Sequence, residues 1–142
     1  MQKRKTVMVF GTFDFFHAGH LFLLQQAKQL GAYLIVVVGR DKTVKKVKGK
    51  LPIHSEQERK KILQHINLVD QVVLGSRTNV YDIIKKKKPT VIALGYDQTI
   101  FVSDLLKKLP QLSPETKIIR LLPYKKKYKS RQIKFCSDSL TI

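Results

Sequence analysis

Two histidines, His17 and His20, lie three residues apart in a stretch that begins at Gly11. An apolar run over residues 7–10 precedes this stretch, and a helix-like pattern starts near His20. A turn from a strand into a helix presents the free N–H groups and the partial positive charge of the helix N-terminus. Phosphate binds at such turns, and Gly11 and Gly19 would let the backbone approach it closely. We therefore interpret this stretch as a nucleotide site.

Other sites built on glycine or histidine fit this stretch less well. It matches neither the GxGxxG fingerprint of dinucleotide sites nor the GxxxxGK[ST] pattern of a P-loop. Zinc would need further ligands, yet the chain has one cysteine, Cys136, and no third ligand at metal spacing. A purely structural histidine pair is the plain alternative. The small residues that flank His17 and His20 favour a functional pair.

The elements around this turn alternate between strands and helices. Short apolar runs, typical of strands buried on both faces of a parallel sheet, lie at residues 7–10, 34–38, 71–74, 91–94 and 117–122. Helical patterns cover residues 21–30, a segment after the capping box of Ser55 and Glu58, residues 80–87 after Asn79, and residues 104–109 between Ser103 and Pro110. Residues 39–52 are polar and basic, and we expect an irregular loop there.

This alternation predicts an α/β fold: a doubly wound, Rossmann-like, five-stranded parallel sheet of order 3-2-1-4-5 in a single domain. In that order the strands that end at Gly11 and Gly95 are neighbours. Asp97 should then project toward the same crevice as His17 and His20. We expect the domain to cover residues 1–135 and residues 136–142 to form a polar tail.

The net charge of +18, from 28 basic and 10 acidic residues among 142, favours polyanionic ligands such as nucleotides or nucleic acids. Aromatic residues are not interleaved with the basic runs, which makes nucleic-acid binding the less favoured alternative. No apolar run approaches the roughly 20 residues of a membrane span. A single cysteine excludes an internal disulfide and predicts a cytoplasmic location.

The stretch Gly11-Thr12-Phe13-Asp14, followed by His17-Ala18-Gly19-His20, resembles the signature of the HxGH nucleotidyltransferase superfamily, in its cytidylyltransferase-like branch. The segment Ala93-Leu94-Gly95-Tyr96-Asp97-Gln98 is similar to the archaeal-type FAD synthases. Two departures stand out. Ala18 replaces the proline usual in those synthases, as in heptose-phosphate adenylyltransferases, and the C-terminal motif keeps one hydroxyl, Ser130, where two are common.

The resemblance implies transfer of AMP from ATP to a phosphorylated acceptor, FMN in the FAD synthases, with release of pyrophosphate and with Mg²⁺ bound to ATP. Glycerol 3-phosphate or a sugar phosphate, with ATP or CTP, is the alternative substrate pair. Exposed strand edges and the resemblance are consistent with a homodimer. No metal ligand is expected from the protein alone.

The resemblance also implies roles for individual residues. The catalytic residues would be His17 and His20, held protonated beside the phosphates, together with Arg131. The nucleotide would be bound by Thr12, Phe13, His17, Ala18, Gly19, His20, Asp97, Tyr124 and Ser130, with Tyr128 as an alternative to Tyr124. The acceptor or the leaving pyrophosphate would be held by Lys45, Lys46 and Lys48.

Overall fold

The fold is a parallel sheet covered by helices on both faces. The computed structural model describes residues 4–99 and 102–124. The strands are β1 (Thr6–Gly11), β2 (Tyr33–Val38), β3 (Gln71–Leu74), β4 (Val91–Leu94) and β5 (Lys117–Arg120). They form one sheet of order β3-β2-β1-β4-β5, in which every neighbouring pair is parallel. The predicted fold class and strand order are confirmed.

The helices are α1 (Ala18–Gln29), α2 (Asp41–Lys48), α3 (Glu56–Gln64), α4 (Asp82–Lys87) and α5 (Val102–Leu112). Alternate side chains of the central strand point to opposite faces, as the pleat requires. Val7 and Val9 pack with α1 and α3, whereas Met8 packs with α4 and α5. Both faces of the sheet are buried, which explains why its strands read as continuous apolar runs.

The segment after β2 differs from its prediction. We expected residues 39–52 to form an irregular loop, yet most of them form α2. The helix buries a single apolar side chain, Val44, so it lacks the apolar stripe by which helices are recognised. It ends at Gly49, whose φ of 86° is the left-handed conformation of a helix C-terminus. The three lysines Lys45, Lys46 and Lys48 therefore lie on a helix.

Three other helix boundaries were predicted wrongly. Helix α1 begins at Ala18, before His20, with His17 as its N-cap. Helix α4 begins at Asp82, because the Asn79 side chain accepts from the N–H of Tyr81 in the preceding turn. Helix α5 includes Ser103 and continues through Pro110 to Leu112. Pro110 cannot donate to the carbonyl four residues earlier, and burial of Leu105 and Leu109 against the sheet offsets this local cost.

Several predicted features lie outside the described residues: Tyr128, Ser130, Arg131, Cys136 and the domain boundary at residue 135. They stay predictions. Within residues 4–99 and 102–124, none of the helices combines the length and the hydropathy that a bilayer-spanning helix requires.

Candidate active site

The carboxyl ends of β1 and β4 meet at one edge of the sheet, where strand order reverses around β1. The side chain of Gln98 joins the two ends. Its Oε1 accepts from the N–H of Gly95 at 3.1 Å, and its Nε2 donates to the carbonyl of Phe10 at 3.3 Å. The two strand ends that we expected to be neighbours are thus linked by one amide side chain.

The turn from β1 into α1 carries both histidines at the start of the helix. His17 is the N-cap, with extended backbone, and its Nδ1 accepts from the N–H of Gly19 at 3.0 Å. The Nδ1 of His20 accepts from the N–H of His17 at 3.3 Å, so the two imidazoles form a reciprocal capping box. The rings stack with centroids 3.8 Å apart and planes 20° apart.

This arrangement fixes where each neutral imidazole carries its hydrogen. Because Nδ1 of His17 and Nδ1 of His20 are both acceptors, the remaining hydrogen of each neutral ring is on Nε2. Two nearly parallel rings therefore offer two Nε2–H donors at the start of a helix, whose N-terminus carries a partial positive charge. Such a set of donors suits the oxygens of a phosphate chain.

The surroundings of His20 determine its charge state in the ligand-free site. Burial of the ring, then the neighbouring His17 and the Lys48 ammonium, lower the pKa of His20 from 6.5 to about 4, against an opposing effect of Asp14. His20 is therefore neutral near pH 7 in the ligand-free site, and its expected protonation beside bound phosphates stays a prediction. A neutral His20 still donates through Nε2–H.

Small residues around the turn are required by its packing. A Cβ added to Gly19 would lie 2.9 Å from Cε1 of His17, and one added to Gly11 would lie 2.7 Å from Cε2 of Phe13. The Phe13 side chain is buried and meets the His20 ring edge-on, with centroids 5.3 Å apart. Phe13 thus supports His20 from the core, and its expected contact to the nucleotide, which would fall to its backbone, stays a prediction.

A buried guanidinium, that of Arg59, holds the loops around the turn. It is fully buried and donates to the carbonyls of Thr12 (2.9 Å), Gly39 (2.8 Å) and His54 (3.0 Å), and to the Asp41 carboxylate (2.7 Å). It thereby links the segments that follow β1 and β2 with the N-terminus of α2. Because the Thr12 carbonyl is occupied, a nucleotide contact from Thr12 would fall to its N–H or hydroxyl.

Asp14 makes a second link across the same region. Its carboxylate accepts from the N–H groups of Ile53 at 2.7 Å and His54 at 3.0 Å. Burial alone would raise the pKa of Asp14, but these two N–H groups outweigh it, and the pKa is lowered. Asp14 is therefore ionised near pH 7 and ties the HxGH turn to the segment before α3.

The lysines of α2 do not share one face. Lys48 lies near enough to His20 for its ammonium to lower the His20 pKa. A step of about 100° per residue places Lys46 about 160° from the buried Val44, on the solvent face, and Lys45 between the two faces. The structure thus brings Lys48 to the histidines and directs Lys46 away from the core.

The opposite wall of the crevice is the turn after β4. Arg120 of β5 donates to the carbonyls of Gly95 and Gln98 and so holds this turn from the neighbouring strand. Tyr96 and Asp97, at the centre of the turn, are exposed. The carboxylate of Asp97 is thus available for a ligand next to the β1 end.

Tyr124 lies beside the histidine turn. A Cβ added to Gly19 would lie 3.8 Å from Cβ of Tyr124, whose ring tilts against Phe22 of α1 at a centroid distance of 5.7 Å. This position is compatible with the expected contact to the nucleotide. Across residues 4–99 and 102–124, no group of three or more His, Cys, Asp or Glu side chains is placed to hold a metal ion.

The sequence was compared with families of known proteins. A model of the cytidylyltransferase-like family matches residues 8–134. The chain belongs to this family. Among its cytidylyltransferase-like relatives, the FAD synthase of Pyrococcus horikoshii is 47% identical over 119 residues, which are 83% of this chain and 80% of that protein. The FAD synthase of Thermococcus sibiricus is 42% identical over 127 residues, 87% of this chain and 85% of that protein.

A solved structure of another protein has a closely similar fold. The lipopolysaccharide core biosynthesis protein from Thermoplasma volcanium superimposes with a TM-score of 0.80 and 36% identity, covering 87% of this chain and 100% of that one. The two proteins therefore share the same fold.

Sequence reasoning missed two arginines of this cytidylyltransferase-like site. The signal for Arg59 was present, because it precedes the buried Leu63 by four residues and so falls on the buried stripe of α3. Ile62, the neighbour of Leu63 on this helix, is exposed. Arg120 ends a strand of the sheet, and no local pattern indicates that its guanidinium reaches the preceding strand's turn.

Proposed function

We propose that this protein is an FMN adenylyltransferase, an FAD synthase, which transfers AMP from ATP to FMN and releases pyrophosphate. The observation that carries the proposal is the stacked pair His17 and His20, with two Nε2–H donors at a helix start, in a chain 47% identical to a named FAD synthase. Nucleotidyl transfer needs little covalent chemistry from a protein, because positioning and charge stabilisation supply most of the rate.

In the reaction, a phosphate oxygen of FMN attacks the α-phosphorus of ATP. The new P–O bond forms as the bond from the α-phosphorus to the oxygen bridging to the β-phosphorus breaks, and that oxygen leaves with pyrophosphate. Charge grows on the α-phosphate oxygens and on the bridging oxygen. The Nε2–H groups of His17 and His20 would donate to these oxygens, and the N–H of Ala18 would stabilise the phosphate chain. Gly19, whose N–H already donates to His17, would let the chain come close to the helix start.

The remaining contacts follow from position. Lys48, next to His20, would neutralise the FMN phosphate or the leaving pyrophosphate, with Lys45 one helical turn before it. Asp97 would accept from the ribose hydroxyls across the crevice, and Tyr124 would contact the adenine. Ser130 and Arg131 are proposed to bind the β- and γ-phosphates, the latter through its planar fork.

Mg²⁺ would enter as part of the substrate MgATP. This ion prefers oxygen ligands and usually keeps several waters. The two imidazoles are nitrogen donors, and both Asp14 oxygens already accept N–H groups. Phosphate oxygens and water would therefore hold the ion.

A second acceptor class has one specific observation in its favour. The solved structure that superimposes at 36% identity is named for lipopolysaccharide core biosynthesis, and Ala18 matches the heptose-phosphate enzymes that the chain also resembles. A sugar phosphate or glycerol 3-phosphate is therefore the alternative acceptor.

The homodimer and the cytoplasmic location also stay predictions. Sedimentation of the purified protein measures whether it is a dimer.

A panel of substrate pairs tests the proposal. The protein is incubated with Mg²⁺, with ATP or CTP, and with FMN, glycerol 3-phosphate or a heptose phosphate, and pyrophosphate release is measured. ATP with FMN should release pyrophosphate and form FAD. Release with a sugar phosphate alone would favour the second acceptor class. Absence of release from every pair, together with salt-sensitive DNA binding, would favour a nucleic-acid-binding protein.

A further inference from the structure

An apolar surface borders the histidine turn. Three of its side chains are among the most exposed large apolar residues in the described part of the chain: Phe15 (56%), Leu51 (55%) and Ile53 (70%). The ring of His54 meets that of Phe15 edge-to-face, with centroids 4.8 Å apart and planes at 72°. We call Phe15, Leu51, Ile53 and His54 the apolar shelf. Clustered exposed apolar side chains beside a polar site mark a surface that contacts a ligand.

The shelf is held in place by hydrogen bonds although it is exposed. The Asp14 carboxylate accepts from the N–H groups of Ile53 and His54, and Nε of Arg59 donates to the His54 carbonyl. Phe15 has a φ of 50°, a left-handed conformation that bulky residues rarely adopt. Backbone strain of this kind is concentrated at functional sites. Here it presents the Phe15 ring at the surface, against His54.

The shelf adjoins the place where the acceptor phosphate must lie. Phe15 precedes His17 by two residues, so the shelf starts at the histidine turn itself. The other end of the shelf lies close to Lys48 in the sequence, because Leu51 and Ile53 follow it within one short segment. The ammonium of Lys48 lowers the pKa of His20. An acceptor whose phosphate lies between Lys48 and His20 would thus extend its remaining part over the shelf.

We propose that the apolar shelf binds the planar aromatic ring system of the acceptor and makes the site selective for a flavin phosphate over a polyol or sugar phosphate. This inference rests on the proposed adenylyl transfer to FMN. Phe15 and His54 offer aromatic contacts, and Leu51 and Ile53 offer apolar area, to a flat conjugated ring. A sugar phosphate would instead place hydroxyl groups against Phe15, Leu51 and Ile53, which cannot hydrogen-bond to them, and this weakens its binding.

The test compares the whole protein with variants at Phe15. Phe15→Gly removes the ring and also relieves the left-handed strain, so the variant should fold at least as well as the parent. Its KM for FMN should rise about tenfold, as expected for loss of an aromatic contact, with the KM for ATP unchanged. Phe15→Tyr should keep the parent KM. Leu106→Ala, at an exposed apolar position on α5, is the matched control and should change neither KM.

Direct binding of FMN is measured alongside, by quenching of flavin fluorescence on titration with protein. An unchanged KM for FMN in an active Phe15→Gly variant overturns the inference and leaves the proposed function standing. Absence of FAD formation by the parent refutes the proposed function. If the parent forms no FAD but binds FMN, loss of the fluorescence quenching in Phe15→Gly still supports a flavin-binding shelf. If the parent does not bind FMN, the inference about the shelf is overturned. If Phe15→Gly sediments differently from the parent but keeps the same KM for FMN, the inference is overturned, and the shelf is instead a contact between two copies of the chain.

Discussion

Replacement of the buried Arg59 should destabilise the fold more than replacement of any exposed cation. Its guanidinium donates to three backbone carbonyls and one carboxylate, and it is fully buried. In Arg59→Met the carbonyls of Thr12, Gly39 and His54 lose their donor inside the protein. Removing one partner of a buried, hydrogen-bonded ion pair costs about 3–5 kcal/mol. The Asp41 side chain is 30% exposed and can regain water, which favours the lower half of that range.

Urea denaturation followed by circular dichroism measures this effect. With a slope of about 2 kcal/mol per M for a domain of this size, a loss of about 3 kcal/mol lowers the midpoint by about 1.5 M. Lys61→Met, at an exposed position of the same helix, should change stability by no more than about 0.5 kcal/mol. Arg59→Lys should fall between the two, because an ammonium keeps the charge without the planar fork. A loss below about 1 kcal/mol in Arg59→Met would refute the linking role of Arg59.

Further predictions concern the histidine turn. His17→Ala or His20→Ala should lower kcat about a hundredfold or more, because each removes a donor to the reacting phosphates, whereas His65→Ala should stay near the parent in the same pyrophosphate assay. By NMR titration the free His20 ring should titrate near pH 4, and Lys48→Met should raise that pKa; titration at or above pH 6 in the parent would contradict the described environment. Since the folded pKa of His20 lies below the unfolded value of 6.5, the folded state binds fewer protons than the unfolded state. The contribution of His20 to stability is therefore complete above pH 6.5 and is lost as the pH falls toward 4. In His20→Ala the loss of stability between pH 6.5 and 4 should be smaller than in the parent, which acid denaturation measures. Gly19→Ala should lower kcat because its Cβ would lie 2.9 Å from the His17 ring, and full activity would show that the ring can shift at no cost.

Much of the fold could be predicted because its signals are local. Strands buried on both faces read as short apolar runs, and two of the five, at Gln71–Leu74 and Val91–Leu94, have the predicted bounds. The capping box of Ser55 and Glu58 is present at the start of α3, as its spacing predicts. The alternation of elements indicates a doubly wound sheet, and the order expected for it, now confirmed, placed the Gly11 and Gly95 ends together.

The parts that could not be predicted depend on contacts between distant segments. Helix α2 has one buried residue, Val44, so its sequence reads as a polar loop, and only its packing beside the sheet distinguishes it. The roles of Arg59 and Asp14 depend on backbone groups that lie close to them only in the folded chain. The burial of the Phe13 side chain also depends on the folded chain, because a left-handed backbone turns this side chain into the core.

The most direct test of adenylyl transfer to FMN at the histidine turn follows one phosphorus atom. The protein is incubated with FMN and MgATP labelled at the α-phosphate, and the products are separated chromatographically. The proposal predicts that the label appears in FAD, one equivalent for each pyrophosphate released, and that His17→Ala abolishes most of this transfer. Label that stays in ATP with FMN present, or that enters a product only with a sugar phosphate, would contradict it.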